Sequence, residues 1–232
     1  MFHYCYEGNR VDMESFQSIV DELAKRLQEV VKGYREITIV YDTGNNSDVA
    51  IEKLDQSRYH FISSLPVSRF PDLLEVEATQ YKGLEGERFK GVRIYRQERE
   101  VFGTKRTVVV VFSESFYIQQ LQTVLLMMDK ATKKLKMLQG RLSLWEKGIH
   151  RKGRSPAVKS VKKQVAEILK GQYMKDLIPF TIETRGKFPT LSFEINGKYL
   201  EELAQKVFGK TILFTDNHSW KDEEIVASFW DK

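Results

Sequence analysis

Two hydrophobic periods alternate along the chain and predict a mixed α/β protein. Apolar residues spaced three and four apart predict a helix over residues 16–31. Residues 37–41 are a β-branched run, and residues 59–65 form a second apolar run that Pro66 stops. The short segment between these two runs has Asn46 or Ser47 as its helix cap, so it predicts a helix between two strands. We therefore expect a β-α-β arrangement in which residues 37–41 are an interior strand.

The pattern changes after Pro66. It predicts, in order, loops with an antiparallel hairpin, two helices, a second hairpin, a strand and a final helix. These elements cover residues 91–112, 114–146, 157–170, 178–195, 209–215 and 222–232. The pair Asn196-Gly197 predicts a tight turn, and Ser219-Trp220-Lys221-Asp222 resembles a capping box for the final helix.

Charge is distributed unevenly along the chain. The net charge is +5, but the segment from Asp129 to Asp176 has 14 basic and four acidic side chains, and the remainder has a net charge of −5. A basic block on an acidic body indicates a polyanion partner, most commonly nucleic acid, although a solvated Lys-rich helical surface has the same pattern. Arg151, Lys152 and Arg154, between the two predicted helices, are the expected contacts to DNA phosphates.

Asp42 is the strongest candidate for chemistry. It ends the predicted strand over residues 37–41, where α/β sheets place their ligands, and Gly44 lets the backbone turn sharply after it. An aspartate at a strand end can equally serve only as a cap, which is the role that we expect for Asp216 and Asp12. No nucleophile elbow, Walker loop or dinucleotide-binding glycine motif occurs, and the four histidines lack zinc-site spacing.

Three segments of the chain carry a resemblance to a known family. They are Tyr6-Glu7-Gly8-Asn9-Arg10-Val11-Asp12, then Ile39-Val40-Tyr41-Asp42-Thr43-Gly44-Asn45-Asn46-Ser47 followed by residues 59–65, and finally Gly209-Lys210-Thr211-Ile212-Leu213-Phe214-Thr215 with Trp220 and the next helix. In this order and spacing they resemble insertion-sequence DDE transposases. The branch implied has a β-rich insertion between its second aspartate and its final glutamate.

The resemblance implies an architecture in three parts. Residues 1–65 are a partial RNase H-like mixed sheet with helices, which carries the second catalytic aspartate. Residues 66–208 are a large α+β insertion domain of β-hairpins and basic helices. Residues 209–232 are a returning core strand and the start of the final helix.

The resemblance also implies a metal-dependent transposase chemistry. Three carboxylates hold two divalent ions, usually Mg²⁺ (or Mn²⁺), about 4 Å apart for attack on a DNA phosphodiester. Asp42 matches the second carboxylate, whereas the first precedes residue 2 and the final glutamate follows Lys232 by four residues. We therefore expect a chain truncated at both ends and inactive alone. Phe229 takes the place of the family's tyrosine and Lys232 that of its arginine, and Lys232 is a further expected DNA contact.

The expected partner is DNA, at the transposon ends. Residues 2–7 are expected to leave an exposed sheet edge, open to pairing with missing pieces or a full-length transposase. No run of about 18 apolar residues predicts a membrane span, and the single cysteine, Cys5, fits a reducing cytoplasm. Two alternatives stay open, namely a non-catalytic DNA-binding or regulatory remnant, and an unrelated soluble α/β protein in which Asp42 is a cap.

Overall fold

The structure is a computed structural model that describes residues 22, 25–26, 37–57, 59–149 and 155–232. These residues have a mixed α/β fold that divides into two compact units, the first with residues 1–114 and 209–232 and the second with residues 115–208. The predicted α/β class is confirmed. The predicted strand over residues 2–7 lies outside the described residues, and Glu22, Lys25 and Arg26 are the helical part of residues 16–31 that is described.

The helices and strands of the described residues are numbered here in chain order. The strands are β1 (Thr38–Tyr41), β2 (His60–Leu65), β3 (Lys82–Gly83), β4 (Val92–Val101), β5 (Thr104–Ser113), β6 (Phe180–Arg185), β7 (Phe188–Phe193) and β8 (Lys210–Thr215). The α-helices are α1 (Asp48–Asp55), α2 (Pro71–Leu74), α3 (Glu114–Glu146), α4 (Val158–Ile168), α5 (Met174–Leu177), α6 (Gly197–Lys206) and α7 (Asp222–Trp230).

The first unit is built on a six-stranded sheet in the order β1-β2-β8-β5-β4-β3. Strands β1 and β2 are parallel and are joined by α1, which begins at Ser47, whose hydroxyl accepts from the Ala50 amide at 3.1 Å. The predicted strand–helix–strand is therefore confirmed. The sequence predicted β1 as an interior strand, but among the described residues it is the terminal strand of the sheet.

The remaining strands of this sheet pair antiparallel. The predicted hairpin is present as β4 and β5, and its turn at Phe102 and Gly103 has φ values of 53° and 72°. Positive φ at both central residues matches the twist of the two strands that the turn joins. Strand β8 lies between β2 and β5, with Ile212 opposite both Leu65 and Val110.

The boundary between the two compact units differs from the predicted boundary at residue 66. The hairpin of β4 and β5 pairs with β8 and buries Ile94, Val109 and Val111 against Leu213 in one apolar cluster, so it belongs to the first unit. The second unit begins only at residue 115. Apolar packing and strand pairing, which the local pattern does not reveal, place residues 66–114 with the six-stranded sheet.

Helix α7 closes the first unit, and Ile225, Val226 and Phe229 pack into the same cluster as β8. The capping box predicted at Ser219 is wrong in position. The carboxylate of Glu224 accepts from the Lys221 amide at 2.8 Å, so the helix begins at Asp222. The Ser219 hydroxyl instead donates to Asn217 at 2.7 Å, because the Asn217 side chain folds back on the turn that follows it.

The second unit packs α3, α4, α5 and α6 with a two-stranded sheet of β6 and β7 around one apolar core. Helix α3 covers the predicted residues 114–146. The tight turn predicted at Asn196-Gly197 is wrong, because the Asn196 side chain accepts from the Tyr199 amide at 3.1 Å and caps α6. None of the helices in the described ranges combines the length and the apolar composition needed to cross a bilayer.

Candidate functional site

Asp42 directly follows β1 and lies at the carboxyl ends of the two parallel strands. Its backbone is extended, with φ −94° and ψ 162°, and it precedes one turn of 3-10 helix, Thr43–Asn45. Its carboxylate makes no capping hydrogen bond to that turn, and its side chain is 70% exposed. The carboxylate is therefore open to ligands at the end of the sheet where α/β proteins bind them.

The turn after Asp42 is fastened to the end of β2 by side-chain hydrogen bonds. The Thr43 hydroxyl lies 2.6 Å from the Ser64 hydroxyl and donates to the Ser64 carbonyl at 3.1 Å. The Asn46 amide donates to the same carbonyl at 2.7 Å, and its oxygen accepts from the Ser63 hydroxyl at 3.1 Å. Both serines are buried, so these bonds satisfy polar groups inside the strand and hold the loop in one position.

Two side chains contact the Asp42 carboxylate at the same oxygen. The Lys232 ammonium pairs with Oδ1 at 3.0 Å, and the Ser64 hydroxyl donates to it at 3.2 Å. The hydrogen bond and charge of Lys232, with smaller contributions from Ser64 and the Thr43 amide, hold the pKa of the Asp42 carboxyl below its usual range despite some desolvation. Asp42 is therefore a carboxylate at neutral pH.

Helix α7 positions Lys232 beside Asp42. Phe229 is buried in the core beneath the helix, and the Lys232 ammonium lies 3.9 Å from the centre of its ring. A cation over an aromatic face is attracted by the ring quadrupole, so Phe229 supports the lysine from below. The two residues that the sequence assigned to the tyrosine and arginine places therefore contact each other, and one of them reaches Asp42.

Asp216 is also an aspartate at a strand end, but it lies at the opposite end of the sheet. Because β8 runs antiparallel to β2, the residue after β8 neighbours the start of β2. The Asp216 carboxylate accepts from the Phe61 amide at 2.9 Å and lies 2.9 Å from His60 Nδ1, and its side chain is 23% exposed. Asp216 ties two strands together, which is a structural role.

Asp42 alone does not make a metal site. Mg²⁺ takes about six oxygen ligands in a near-octahedral arrangement, and proteins normally supply more than one carboxylate. Over the ranges that the structure describes, no three His, Cys, Asp or Glu residues cluster so as to hold a metal ion. A metal centre at Asp42 therefore requires carboxylates from outside these ranges.

The other predicted site residues divide into two groups. Arg151, Lys152, Arg154 and Asp12 lie outside the described residues. Lys232 is described, and it contacts Asp42.

Sequence reasoning missed the hydrogen-bonding role of Thr43, Asn46, Ser63 and Ser64. A signal was present, because His60-Phe61-Ile62-Ser63-Ser64-Leu65 places two consecutive hydroxyls in a strand that is otherwise apolar. Adjacent residues of a strand point to opposite faces, so neither face of this strand end is fully apolar. Polar residues at that position predict partners in the neighbouring loop.

Comparison with known proteins adds no relative to this description. No protein-family model, curated protein or solved structure matches the chain.

Proposed function

We propose that this chain is part of an insertion-sequence DDE transposase and that Asp42 is the second of its three catalytic carboxylates. One observation carries the proposal, namely the 3.0 Å contact between Asp42 and Lys232. The resemblance assigned these two residues to the same active site from separate segments of sequence. In an unrelated α/β protein, this contact between the two assigned residues would be a coincidence.

In this proposal, β1, α1, β2 and α7 belong to an RNase H-like core, and residues 66–208 are inserted before its final helix. Mg²⁺ or Mn²⁺ ions would be held jointly by Asp42 and two carboxylates from outside the described residues. When bound, they supply an activated water or 3′-hydroxyl for DNA strand cleavage and transfer. Ser64 orients the Asp42 carboxylate, and Lys232 contacts DNA phosphates. Consistent with the single cysteine, the protein works in the cytoplasm.

Lys232 has a further consequence for Asp42 in this proposal. Its ammonium lies on the oxygen that Ser64 also contacts, so the aspartate is already neutralised when no divalent ion is present. A DNA phosphate could replace Asp42 as the anionic partner of Lys232. A divalent ion could replace Lys232 as the cationic partner of Asp42. An exposed pair of this kind is worth at most about 1 kcal/mol, so the exchange is not costly.

The first experiment tests whether Asp42 binds a divalent ion. Mn²⁺ is added to the isotope-labelled chain, and paramagnetic broadening of amide NMR signals is mapped. We expect weak, selective broadening at Asp42, Thr43 and Ser64 in the native chain and none there in Asp42→Asn. Broadening at unrelated surface carboxylates, with none around Asp42, would count against the proposal.

The second experiment tests for catalysis. The chain is incubated with DNA that carries the element's ends and Mg²⁺, alone and after co-assembly with a full-length transposase or with the polypeptides encoded on either side of it. We expect no cleavage by the chain alone, and Asp42-dependent cleavage only where the missing carboxylates are supplied. Cleavage that survives Asp42→Ala would refute the assignment of this residue.

A second candidate function is a non-catalytic DNA-binding or regulatory protein. The excess of basic residues between Asp129 and Asp176 favours it, because that segment binds a polyanion without help from Asp42. One experiment distinguishes the two functions, namely inhibition of a full-length transposase by the native chain and by Asp42→Ala. A regulator should inhibit equally well with either chain. The third alternative, in which Asp42 is only a cap, does not account for the contact between its carboxylate and Lys232.

A further inference from the structure

Helices α3 and α4 of the second unit share one apolar core and contact each other at their surface. Their inner faces share one apolar cluster, in which Leu135 and Leu138 of α3 join Val161 and Val165 of α4. On the outside, the Arg141 guanidinium donates to the Gln164 side chain. The pKa of the Glu167 carboxyl is lowered first by its hydrogen bond from Lys170 and further by the charges of Lys134 and Lys163.

Each of these helices carries a row of cations with the same spacing. The rows are Lys130, Lys134 and Arg141 on α3, and Lys159, Lys163 and Lys170 on and just after α4. Steps of four and then seven residues keep a row on one side of an α-helix, and each row spans about 16 Å at 1.5 Å per residue. All six side chains belong to exposed residues. The charges of Lys134 on α3 and of Lys163 on α4 both lower the pKa of the Glu167 carboxyl.

Most of this positive charge is not neutralised by neighbouring carboxylates. Within the described part of the second unit, Lys170 pairs with Glu167 at 2.5 Å, while Lys130, Lys134, Lys159 and Lys163 have no ion-pair partner. The rest of the unit is balanced, since residues 177–208 contain four basic and four acidic side chains. The excess therefore lies in these two helices and in the segment between them, which adds Lys147, Arg151, Lys152 and Arg154.

We propose that the adjoining cation rows of α3 and α4 form a surface that binds the phosphate backbone of duplex DNA. The choice of DNA as the polyanion rests on the proposed function. The surface itself rests on the six cations, namely Lys130, Lys134, Arg141, Lys159, Lys163 and Lys170. It is separate from Asp42 and gives the chain affinity for DNA without reading its sequence, because phosphate contacts position a protein but do not specify bases.

The shape of the surface favours DNA over other anionic partners. Duplex DNA carries one charge per about 1.7 Å of its axis, so a rigid double row about 16 Å long meets several phosphates at once. An anionic membrane is bound best when apolar side chains accompany the lysines. The outward positions of α4 between Lys159 and Lys170 contain no large apolar residue, whereas α3 exposes Leu126, Met137 and Leu144. The observations therefore favour a rigid, densely charged polymer.

The test is the salt dependence of DNA binding by the full chain. A labelled duplex of about 30 base pairs is titrated at several NaCl concentrations, and the logarithm of affinity is plotted against the logarithm of salt. Each lost phosphate contact lowers the slope by about 0.9, so Lys134→Ala with Lys163→Ala should reduce it by about 1.8. Alanine is a strong helix former, so the helices are preserved, which circular dichroism verifies.

A matched control is provided by Lys136→Ala with Lys162→Ala. These lysines are exposed, one on each helix, and helical spacing places them on the flanks that face away from the partner helix. We expect the control to change the slope by less than a third as much. Equal loss in both double variants would overturn the proposal, since it would show a response to net charge alone.

Two competitors of the labelled duplex test whether the surface binds a membrane or an acidic protein instead of DNA. Anionic vesicles of phosphatidylserine and phosphatidylcholine, or poly-glutamate at equal charge, should compete with the duplex only weakly. Competition as strong as that of unlabelled DNA would refute the assignment to DNA, in favour of a membrane or an acidic protein. The result is independent of the Mn²⁺ experiment, because that experiment reports on Asp42 in the first unit and this one on cations in the second.

Discussion

Two ends of the same sheet carry an aspartate directly after a strand, and the structure gives the two residues opposite roles. Asp216 accepts the Phe61 amide and contacts His60, which joins β8 to β2. Asp42 leaves its carboxylate 70% exposed, against 23% for Asp216, and is contacted by the side chains of Ser64 and Lys232. Both residues follow an apolar run, so local sequence does not distinguish them.

The difference teaches that the neighbouring strand decides what a carboxylate at a strand end does. Beside Asp216, the antiparallel partner presents a backbone amide that would otherwise lack an acceptor. Beside Asp42, the parallel partner ends in Ser63 and Ser64, whose groups are already bonded to Thr43 and Asn46. Asp42 is therefore not needed for the turn, and its carboxylate is available for another function.

The largest effect is expected for Asp216→Ala. It removes a charged acceptor from the Phe61 amide, so the free energy of unfolding should fall by about 2 kcal/mol, as measured by urea denaturation. Asp216→Asn keeps an oxygen acceptor and should lose less than half as much. If alanine costs under about 0.5 kcal/mol, the contrast between the two aspartates fails, because the lost bond was then worth less than a typical one.

Ser64→Ala is expected to have the next largest effect. The buried hydroxyl contacts both Thr43 and Asp42, and its loss should lower the free energy of unfolding by about 1 kcal/mol. A double-mutant cycle with Thr43→Val should show a coupling of at least about 0.5 kcal/mol, since the two hydroxyls bond each other. Strict additivity would mean that the turn is not held by this pair.

Asp42→Ala should change stability by less than about 1 kcal/mol at neutral pH, since an exposed ion pair contributes little. The pKa of this carboxyl is lowered in the folded protein, so its small contribution is present above the unfolded pKa and is lost as pH falls through the folded one. Native and variant stabilities should therefore converge below about pH 4. A loss as large as that of Asp216→Ala would show a structural role instead.

The smallest effect on stability is expected for Lys232→Ala. Its clearest consequence is a rise in the pKa of the Asp42 carboxyl toward its ordinary value, because the lysine is the main cause of the lowered pKa. Carboxyl-carbon NMR titration measures this shift directly. Lys53→Ala on α1 serves as the control and should leave the Asp42 titration unchanged. An unaltered titration in Lys232→Ala would show that the contact does not persist in solution.

Much of the fold could be predicted, because strong periodic patterns report directly on local structure. The apolar spacing in α3 and the alternation in β4 and β5 place those elements correctly. Two sequence predictions were wrong because the same short sequence pattern is compatible with two local structures. Asn196-Gly197 suits a tight turn, but here Asn196 caps α6, and the Ser219 hydroxyl bonds Asn217 instead of starting α7.

By itself, the sequence determined most of the longer helices and strands but not α6, together with the excess charge of residues 129–176 and the candidacy of Asp42. Periodicity and charge are local properties, so they can be read without knowing what lies nearby in space. Only the tertiary structure decided that β4 and β5 join the sheet with β8, that Asp216 is bonded while Asp42 is open, and that Lys232 reaches Asp42. These outcomes depend on contacts between residues far apart in the chain, and hydrogen bonding and burial at those contacts are settled only when the whole core packs.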